Sequence, residues 1–301
     1  MAQESGRTGY HYGFYAYMRY HYGLMRAPVR YEQEVQLGEE PVRLDFLIIK
    51  KDGSVQLTDP IGGFFRSCNL IEYKSPEDSL TVDDFYKAQG YALIYKGFGR
   101  SVNELPIENM TLTLVRHSHP RTMVETLMRS GLRVIETHPG IYHIEGKISI
   151  DTQLVVSSRL KKGEYEGLRL LTTGVSKDEL VSYMEHAIST QDPNLIENAG
   201  VVVSTCLSAN PDLAAALSEE ESMDDGVRKT FKRQFDEAEA RGEARGEARG
   251  EARGEAHQAR ATVERMLRAN YDVAEIMFLN GVTYDQVADV ALAAGIELPR
   301  G

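Results

Sequence analysis

The amino-acid sequence predicts a mixed α/β domain over residues 1–174, followed by a helical C-terminal extension. Three observations predict it. Short apolar runs bounded by turn residues alternate with helical patterns as far as Thr173. Beyond that point the spacing is helical throughout. Charge divides at the same place: residues 1–174 hold 21 basic and 21 acidic side chains, so the net −11 belongs to the last 127 residues. A net −11 speaks against a nucleic-acid partner, but a neutral domain can still carry a basic groove. With 42% hydrophobic and 26% charged residues the chain has ordinary globular values, which argues against disorder. No apolar run approaches the ~18–20 residues of a spanning helix, and the first thirty residues hold no secretory apolar core. Two cysteines, Cys68 and Cys206, are too few for a disulfide framework or a cysteine zinc site. The expectation is a soluble cytoplasmic protein with no membrane contact.

Residues 8–26 carry six tyrosines, with Phe14, Tyr17 and Met18 at helical spacing, and predict a packed first helix. Its aromatics suit a core face better than base stacking. Strands follow at 31–37, which alternates, and at 42–50 (VRLDFLIIK), fully apolar after Asp45. Residues 51–54 (KDGS) form a turn. Residues 68–74 (CNLIEYK) form a third strand, ended by Ser75-Pro76 because proline cannot donate to a ladder. Thr81 and Asp84 have the spacing of a capping box, opening a helix that runs to about Lys96 with Val82, Phe85, Ala88, Ala92 and Tyr95 on one face. Further strands are predicted at 111–116, 132–136, 141–145 and 153–157, and a helix at 120–130.

The extension divides into an acidic helical segment, 175–238, a repeat segment, 239–258, and short C-terminal helices, 259–301. Helical patterns cover 177–188, 211–217 and 227–238. EARG then repeats four times from Glu239 to Gly254. A period of four on a helix stacks Glu over Glu and Arg over Arg at i,i+4, so the usual ion pairs are missing. Each glycine costs about 1 kcal/mol relative to alanine. Such a tract is a spacer or a helix held by a partner, and assembly of a homo-oligomer through the C-terminal helices is one option. Residues 261–301 are broken at Asn280-Gly281 and Gly295, the pattern of a short helical hairpin.

Chemistry concentrates at Asp45, inside an apolar strand, and at Glu72-Tyr73-Lys74, at the end of another. A carboxylate inside LDFLII is costly unless it is paired or binds a cation. Glu72 and Lys74 stand at i and i+2 and so share a strand face. If the two strands are neighbours, Asp45, Glu72 and Lys74 converge. Two carboxylates plus a backbone carbonyl suit a hard divalent ion such as Mg²⁺, which lowers the pKa of bound water and neutralises charge on a phosphate. A lysine beside it orients that water or stabilises the transition state. The arrangement suits phosphodiester hydrolysis. The triplet alone is weak, since Glu145-Gly146-Lys147 has the same form with a glycine that marks a turn. The competing reading is an edge-strand Glu–Lys pair with Asp45 salt-bridged.

Residues 43–96, with RLDFLIIKK, EYKSPEDSL, DDFYK and GYALIYK, resemble the PD-(D/E)XK nuclease superfamily. More narrowly they resemble its bacterial transposase-like and recombination-promoting members. The resemblance implies a restriction-endonuclease-like mixed β-sheet flanked by helices, in α-β-β-β-α-β order. It implies a Mg²⁺-dependent DNA endonuclease, with Mn²⁺ as a substitute ion and no small-molecule cofactor. Asp45, Glu72 and the backbone carbonyl of Tyr73 would ligate the metal, and Lys74 would assist the water. On the following helix Lys87 and Tyr91, one turn apart, would face the DNA, with Gln89 beside them. Many members add a carboxylate from the first helix. Here no acid lies between Glu4 and Glu32, so that role is empty or passes to Glu34. The signature proline before Asp45 is replaced by Leu44.

His117 and His119 share a strand face but have no third metal ligand at recognisable spacing. Arg116, Arg121, Arg129, Arg133, Lys161 and Lys162 would supply phosphate contacts if they gather on one groove. Asp224 and Asp225 read as a solvated helix end. The alternative to a nuclease is a weak or inactive module of the same fold that acts through oligomerisation or through DNA or protein binding. RNA as the substrate leaves no motif to detect.

Overall fold

The computed structural model describes residues 9–37, 42–52, 54–99, 101–218 and 224–296; side chains are described except at 34–37, 42–46, 218 and several positions between 243 and 257. The chain forms two compact units, Met1–Glu239 and Ala240–Gly301.

The first unit begins with α1 (Tyr10–Leu24), then β1 (Val29–Leu37), β2 (Val42–Lys51), β3 (Cys68–Lys74), α2 (Val82–Gly97) and β4 (Met110–Arg116). It continues through α3 (Arg121–Arg129), β5 (Arg133–His138), β6 (Ile141–Glu145) and β7 (Asp151–Val156). All seven strands join one sheet in the order β1-β2-β3-β4-β7-β6-β5. The pairs β3–β4 and β4–β7 are parallel and the other four antiparallel. A parallel pair needs a crossover, and α2 supplies it between β3 and β4. The α-β-β-β-α-β order is present as expected.

Both sheet faces are covered, so the central strands carry near-continuous apolar runs. Ile71 and Tyr73 of β3 join Leu47, Ile49 and Val115 beneath α1. Leu70 joins Ile48, Leu112 and Leu114 beneath α2, whose Phe85, Ala88 and Ala92 face it. The tyrosines of α1 belong to the core: Tyr10, Tyr15, Tyr17, Tyr20 and Tyr22 are buried, with Tyr12 exposed. Phe14 stacks on Tyr73 at 4.5 Å and 12°, a geometry that adds about 0.5–1.5 kcal/mol to plain burial.

Unit one is completed by α4 (Glu166–Arg169), α5 (Lys177–Ser189), α6 (Pro193–Ala209), α7 (Pro211–Ser218), α8 (Asp225–Thr230) and the start of α9 (Lys232–Arg268). The boundary expected at 174 is not a break in packing. Leu180, Tyr183, Val202, Val203 and Phe231 enter the same core as α1, because α1 otherwise has only the sheet to cover its aromatic circumference. The helix α6 was not foreseen. It lies close enough to α1 that a Cβ on Gly13 would meet Thr205 Oγ1 at 2.7 Å. The single helix expected over 227–238 is instead divided at Phe231, which is buried between α8 and α9.

The second unit packs Val263 and Leu267 of α9 against Ile276 of α10 (Val273–Asn280) and Val287, Val290 and Ala291 of α11 (Tyr284–Ala294). Gly281 and Gly295 close the two short helices in left-handed conformations, φ 63° and 67°, which glycine adopts without a Cβ penalty. The EARG repeat lies within α9. Among the described residues no single helix is long and apolar enough to cross a membrane; α6 and α7 qualify only together, across a 113° bend.

Candidate active site at the end of β3

Strand alternation puts Glu72 and Lys74 on the α2 face of the sheet, in phase with Leu70. Lys74 Nζ lies 3.3 Å from Glu72 Oε1 and 3.1 Å from Asp84 Oδ1. All three side chains are roughly one-fifth exposed, at 23%, 19% and 22%, so the cluster is partly open to solvent. Asp84 is the N3 residue of α2: its Oδ2 accepts from the Thr81 backbone N–H at 2.8 Å and from the Thr81 hydroxyl at 2.7 Å, while Thr81 Oγ1 accepts from the Asp84 N–H. One carboxylate thus closes the capping box and braces Lys74. The sequence revealed the first role and hid the second.

The electrostatics follow from this bracket. Burial opposes the Lys74 charge, but the Glu72 and Asp84 carboxylates outweigh it and hold the ammonium above its ordinary pKa. Lys74 is therefore a fixed cation at neutral pH. Asp84 is also opposed by burial, yet its bonds to Thr81 and Lys74 hold its pKa below the usual carboxylate range.

The site sits at the carboxyl end of the parallel β3–β4 pair, the customary ligand edge of an α/β sheet. Arg116 pairs in register with Lys74, and its Nε donates to the Asp78 carbonyl at 3.1 Å. Lys161 and Arg133 are instead paired with Glu164 and Glu145. The Tyr73 carbonyl accepts a hydrogen bond from His11 Nε2 at 3.1 Å. The first-helix group that reaches this strand end is thus a histidine, 62 residues away in sequence. A carbonyl has two lone pairs, so one donor leaves it able to accept again.

The side chains of Asp45 and Glu34 lie outside the described residues, and so does the separation between the Asp45 and Glu72 carboxylates. Their backbone register is described. Gln33 pairs with Leu47 and Val35 with Leu44, so Asp45 and Phe46 together stand opposite Glu34 in a β-bulge. Leu44 and Leu47 thus fall in one phase of the pleat, and strand position 45 falls with 46, which pairs with Glu72.

Along α2, Asp84, Lys87, Tyr91 and Tyr95 form one stripe. Its ends are anchored, Asp84 on Lys74 and Tyr95 by a hydroxyl donating to Glu32 Oε2 at 3.3 Å. Lys87 is exposed between them, its Nζ 5.4 Å from the centroid of the half-buried Tyr91 ring. Gln89 lies elsewhere. It is buried and faces β7, its amide nitrogen donating to the Ile150 carbonyl at 2.9 Å and to Thr152 Oγ1 at 2.6 Å, while its oxygen accepts from the Ile150 N–H at 3.1 Å. The residue expected beside the substrate is a tie between α2 and the sheet.

His117 lies 3.2 Å from the Ser157 hydroxyl and His119 packs edge-on against Tyr142. Among the described residues no three His, Cys, Asp or Glu side chains come together as a metal group. Asp224 caps α8 by accepting from the Gly226 and Val227 N–H groups.

Comparison with models of protein families, with curated proteins and with solved structures gives no match to this chain.

Proposed function

We propose that the chain is a metal-dependent nuclease of the PD-(D/E)XK superfamily, with a restriction-endonuclease-like fold, acting on DNA in a recombination- or transposition-related reaction in the bacterial cytoplasm. One observation carries the reading. Glu72 and Lys74 emerge on one face at the end of β3, next to a β2 bulge that brings strand position 45 into phase with them. The α-β-β-β-α-β order with β3 and β4 parallel supports it.

Glu72, Asp45 and the Tyr73 carbonyl would hold Mg²⁺ or Mn²⁺, with Glu34 as a further carboxylate opposite the bulge. Hard oxygen donors suit such ions, which take one or two carboxylates and complete their shell with water and phosphate. When bound, the ion supplies a water of lowered pKa and a counter-charge for the phosphate. Lys74 would supply a positive charge and a hydrogen-bond donor toward the attacking water or the developing charge. Asp84 positions it. His11 fixes the Tyr73 carbonyl. Arg116 and Lys87 flank the cluster and suit the phosphates on either side, with Tyr91 packed beneath Lys87.

The test is nicking of supercoiled plasmid with Mg²⁺ by the purified full chain. Lys74→Ala is expected to reduce it by about 10²–10³-fold, the usual effect of removing one transition-state donor, and Glu72→Gln, which removes a metal-binding carboxylate, is expected to reduce it as well. Equal cleavage by wild type and Lys74→Ala sinks the reading. A second reading has the same fold without catalysis, associating through the C-terminal helices. It is favoured by the absence of any acid from α1 and by the exposure of Phe278 and Leu292. It predicts metal-independent self-association, lost on removal of residues 239–301, and no Lys74-dependent cleavage.

A further inference from the structure

The face of the sheet opposite Lys74 carries a cavity. A cavity of about 420 Å³ opens between α1, the turn at Asp59-Pro60, α4 and α5. This volume lies within the usual range of small-molecule sites. Tyr17, Tyr20, Tyr165 and Tyr183 wall it, and Asp59 and His21 stand at its floor. Leu24, 45% exposed, lies at its mouth.

Three features mark it as built. The Asp59 side chain is only 8% exposed, with Oδ1 accepting from the Gly62 N–H at 2.9 Å and the Tyr165 hydroxyl at 3.0 Å. Tyr165 adopts a left-handed conformation, φ 53° and ψ 37°, costly for a bulky side chain and held by its hydroxyl bonds to Asp59 and to the Ile61 N–H. Finally, the carboxylates of the lining are Asp59, Glu164 and Glu166, and among the described residues no lysine or arginine lines the cavity.

Charge decides the ligand class. Burial works against an ionised Asp59, but His21, the Gly62 N–H and the Tyr165 hydroxyl outweigh it and keep its pKa below the usual carboxylate range. Burial raises the Tyr17 and Tyr183 hydroxyls well above their ordinary pKa, so those walls stay neutral. The two histidines are each set against a carboxylate, His21 at 3.6 Å from Asp59 and His186 at 2.6 Å from Glu166. Aromatic faces around a buried anion favour a cation with an apolar body.

We propose that this cavity is a binding site for a small organic cation, an ammonium or guanidinium group on an apolar stem, with Asp59 as its counter-ion and Tyr17, Tyr20, Tyr165 and Tyr183 as its walls. The proposal does not depend on nuclease activity, because the cavity and Lys74 lie on opposite faces of the sheet.

Isothermal titration of the full chain at neutral pH tests it with three probes of one shape: 2-phenylethylammonium, 2-phenylethanol and 3-phenylpropionate. Saturable one-to-one binding of the ammonium is expected, at least about tenfold tighter than either of the others. Asp59→Asn keeps the side-chain shape and is expected to weaken ammonium binding by about tenfold or more. Leu24→Arg puts a like charge at the mouth, and is expected to weaken the ammonium by at least about tenfold more than the alcohol. This second variant decides the matter if Asp59→Asn does not fold. Equal affinity for ammonium and alcohol, or ammonium binding unchanged in a folded Asp59→Asn or in Leu24→Arg, overturns the assignment.

Discussion

Gln89 distinguishes a structural from a substrate-binding role on α2, because the two roles predict opposite phenotypes. Replacing it by leucine keeps most of its volume and removes the amide. Two donated bonds and one accepted bond are lost, to the Ile150 carbonyl, Thr152 Oγ1 and the Ile150 N–H. The losses are unequal. The Ile150 carbonyl keeps a partner in the Thr152 hydroxyl, which donates to it at 2.8 Å. The Ile150 N–H is left buried with no replacement. An orphaned buried donor costs about 1–3 kcal/mol and each of the two other lost bonds about 0.5–1.5, so the whole change should cost roughly 2–6 kcal/mol. For a unit of this size 1 kcal/mol moves the melting temperature by about 2–4 °C, so Gln89→Leu should melt roughly 4–24 °C lower. Circular dichroism melts give the stability, and plasmid nicking per folded molecule at a permissive temperature gives the function. The expected result is a large loss of stability with nicking per folded molecule unchanged. A variant as stable as wild type, within about 0.5 kcal/mol, but defective on DNA would refute the structural role and restore Gln89 to the substrate side.

The Asp84–Lys74 pair has a defined pH window. Asp84 is held below its ordinary pKa, so its contribution is present above the unfolded-state value near ~3.9 and is lost as pH falls through the lower folded-state value. Lys74 is held above its own, so its contribution is present below ~10.4 and is lost as pH rises through the higher folded-state value. The stability gap between wild type and Asp84→Asn, measured by urea unfolding, should therefore be flat across neutral pH and shrink at both extremes; a gap that changes between pH ~6 and ~8 would contradict the pairing. Truncation separates the two units: a chain ending at Glu239 should keep the cooperative melt of the first unit, whereas one ending at residue 174 should lose it, since α5 to α8 leave with half the cover of α1. Equal melts for the two truncations would restore the boundary at 174.

Legibility in the sequence followed the range of the interactions. β3, β6 and the capped α2 were readable because their signals are local: an apolar run, a proline stop, a Thr81–Asp84 capping box. α6 was missed because Val201, Val202, Val203, Ser204 and Thr205 disfavour helix locally, and burial of Val202 and Val203 against the core overrides that preference. The pairing of Glu72 with Lys74 was readable from strand period alone. Asp84 was visible as a cap and invisible as the partner of Lys74, since that contact depends on how α2 crosses the sheet. His11 was beyond reach for the same reason. The bulge at Asp45 depends on pairing between β1 and β2, which no residue in β2 announces.

The Lys74 cluster and the cavity arise from one property of the sheet, its two differently covered faces. On the α1 face the aromatic helix, α5 and α6 close over the strands, so polar groups there are enclosed and must find partners inside; Asp59 Oδ1 finds two, the Gly62 N–H and the Tyr165 hydroxyl. On the α2 face α2 and α3 cover the sheet, and over β3 the cover ends near the first turn of α2. The ladder from β2 to β3 stops at Phe46–Glu72 while that from β3 to β4 continues to Lys74–Arg116. Beyond Glu72 the strand is therefore served on one side by β4 and on the other by a bulged neighbour, and the Tyr73 carbonyl turns to His11. A charged group placed earlier on β3 would be sealed beneath Phe85 and would cost several kcal/mol in desolvation. Placed at 72 and 74 it is only partly buried, near enough to its partners to be held and near enough to water to meet a polyanion. The position of the triplet at the end of the strand, more than its composition, makes it usable chemistry.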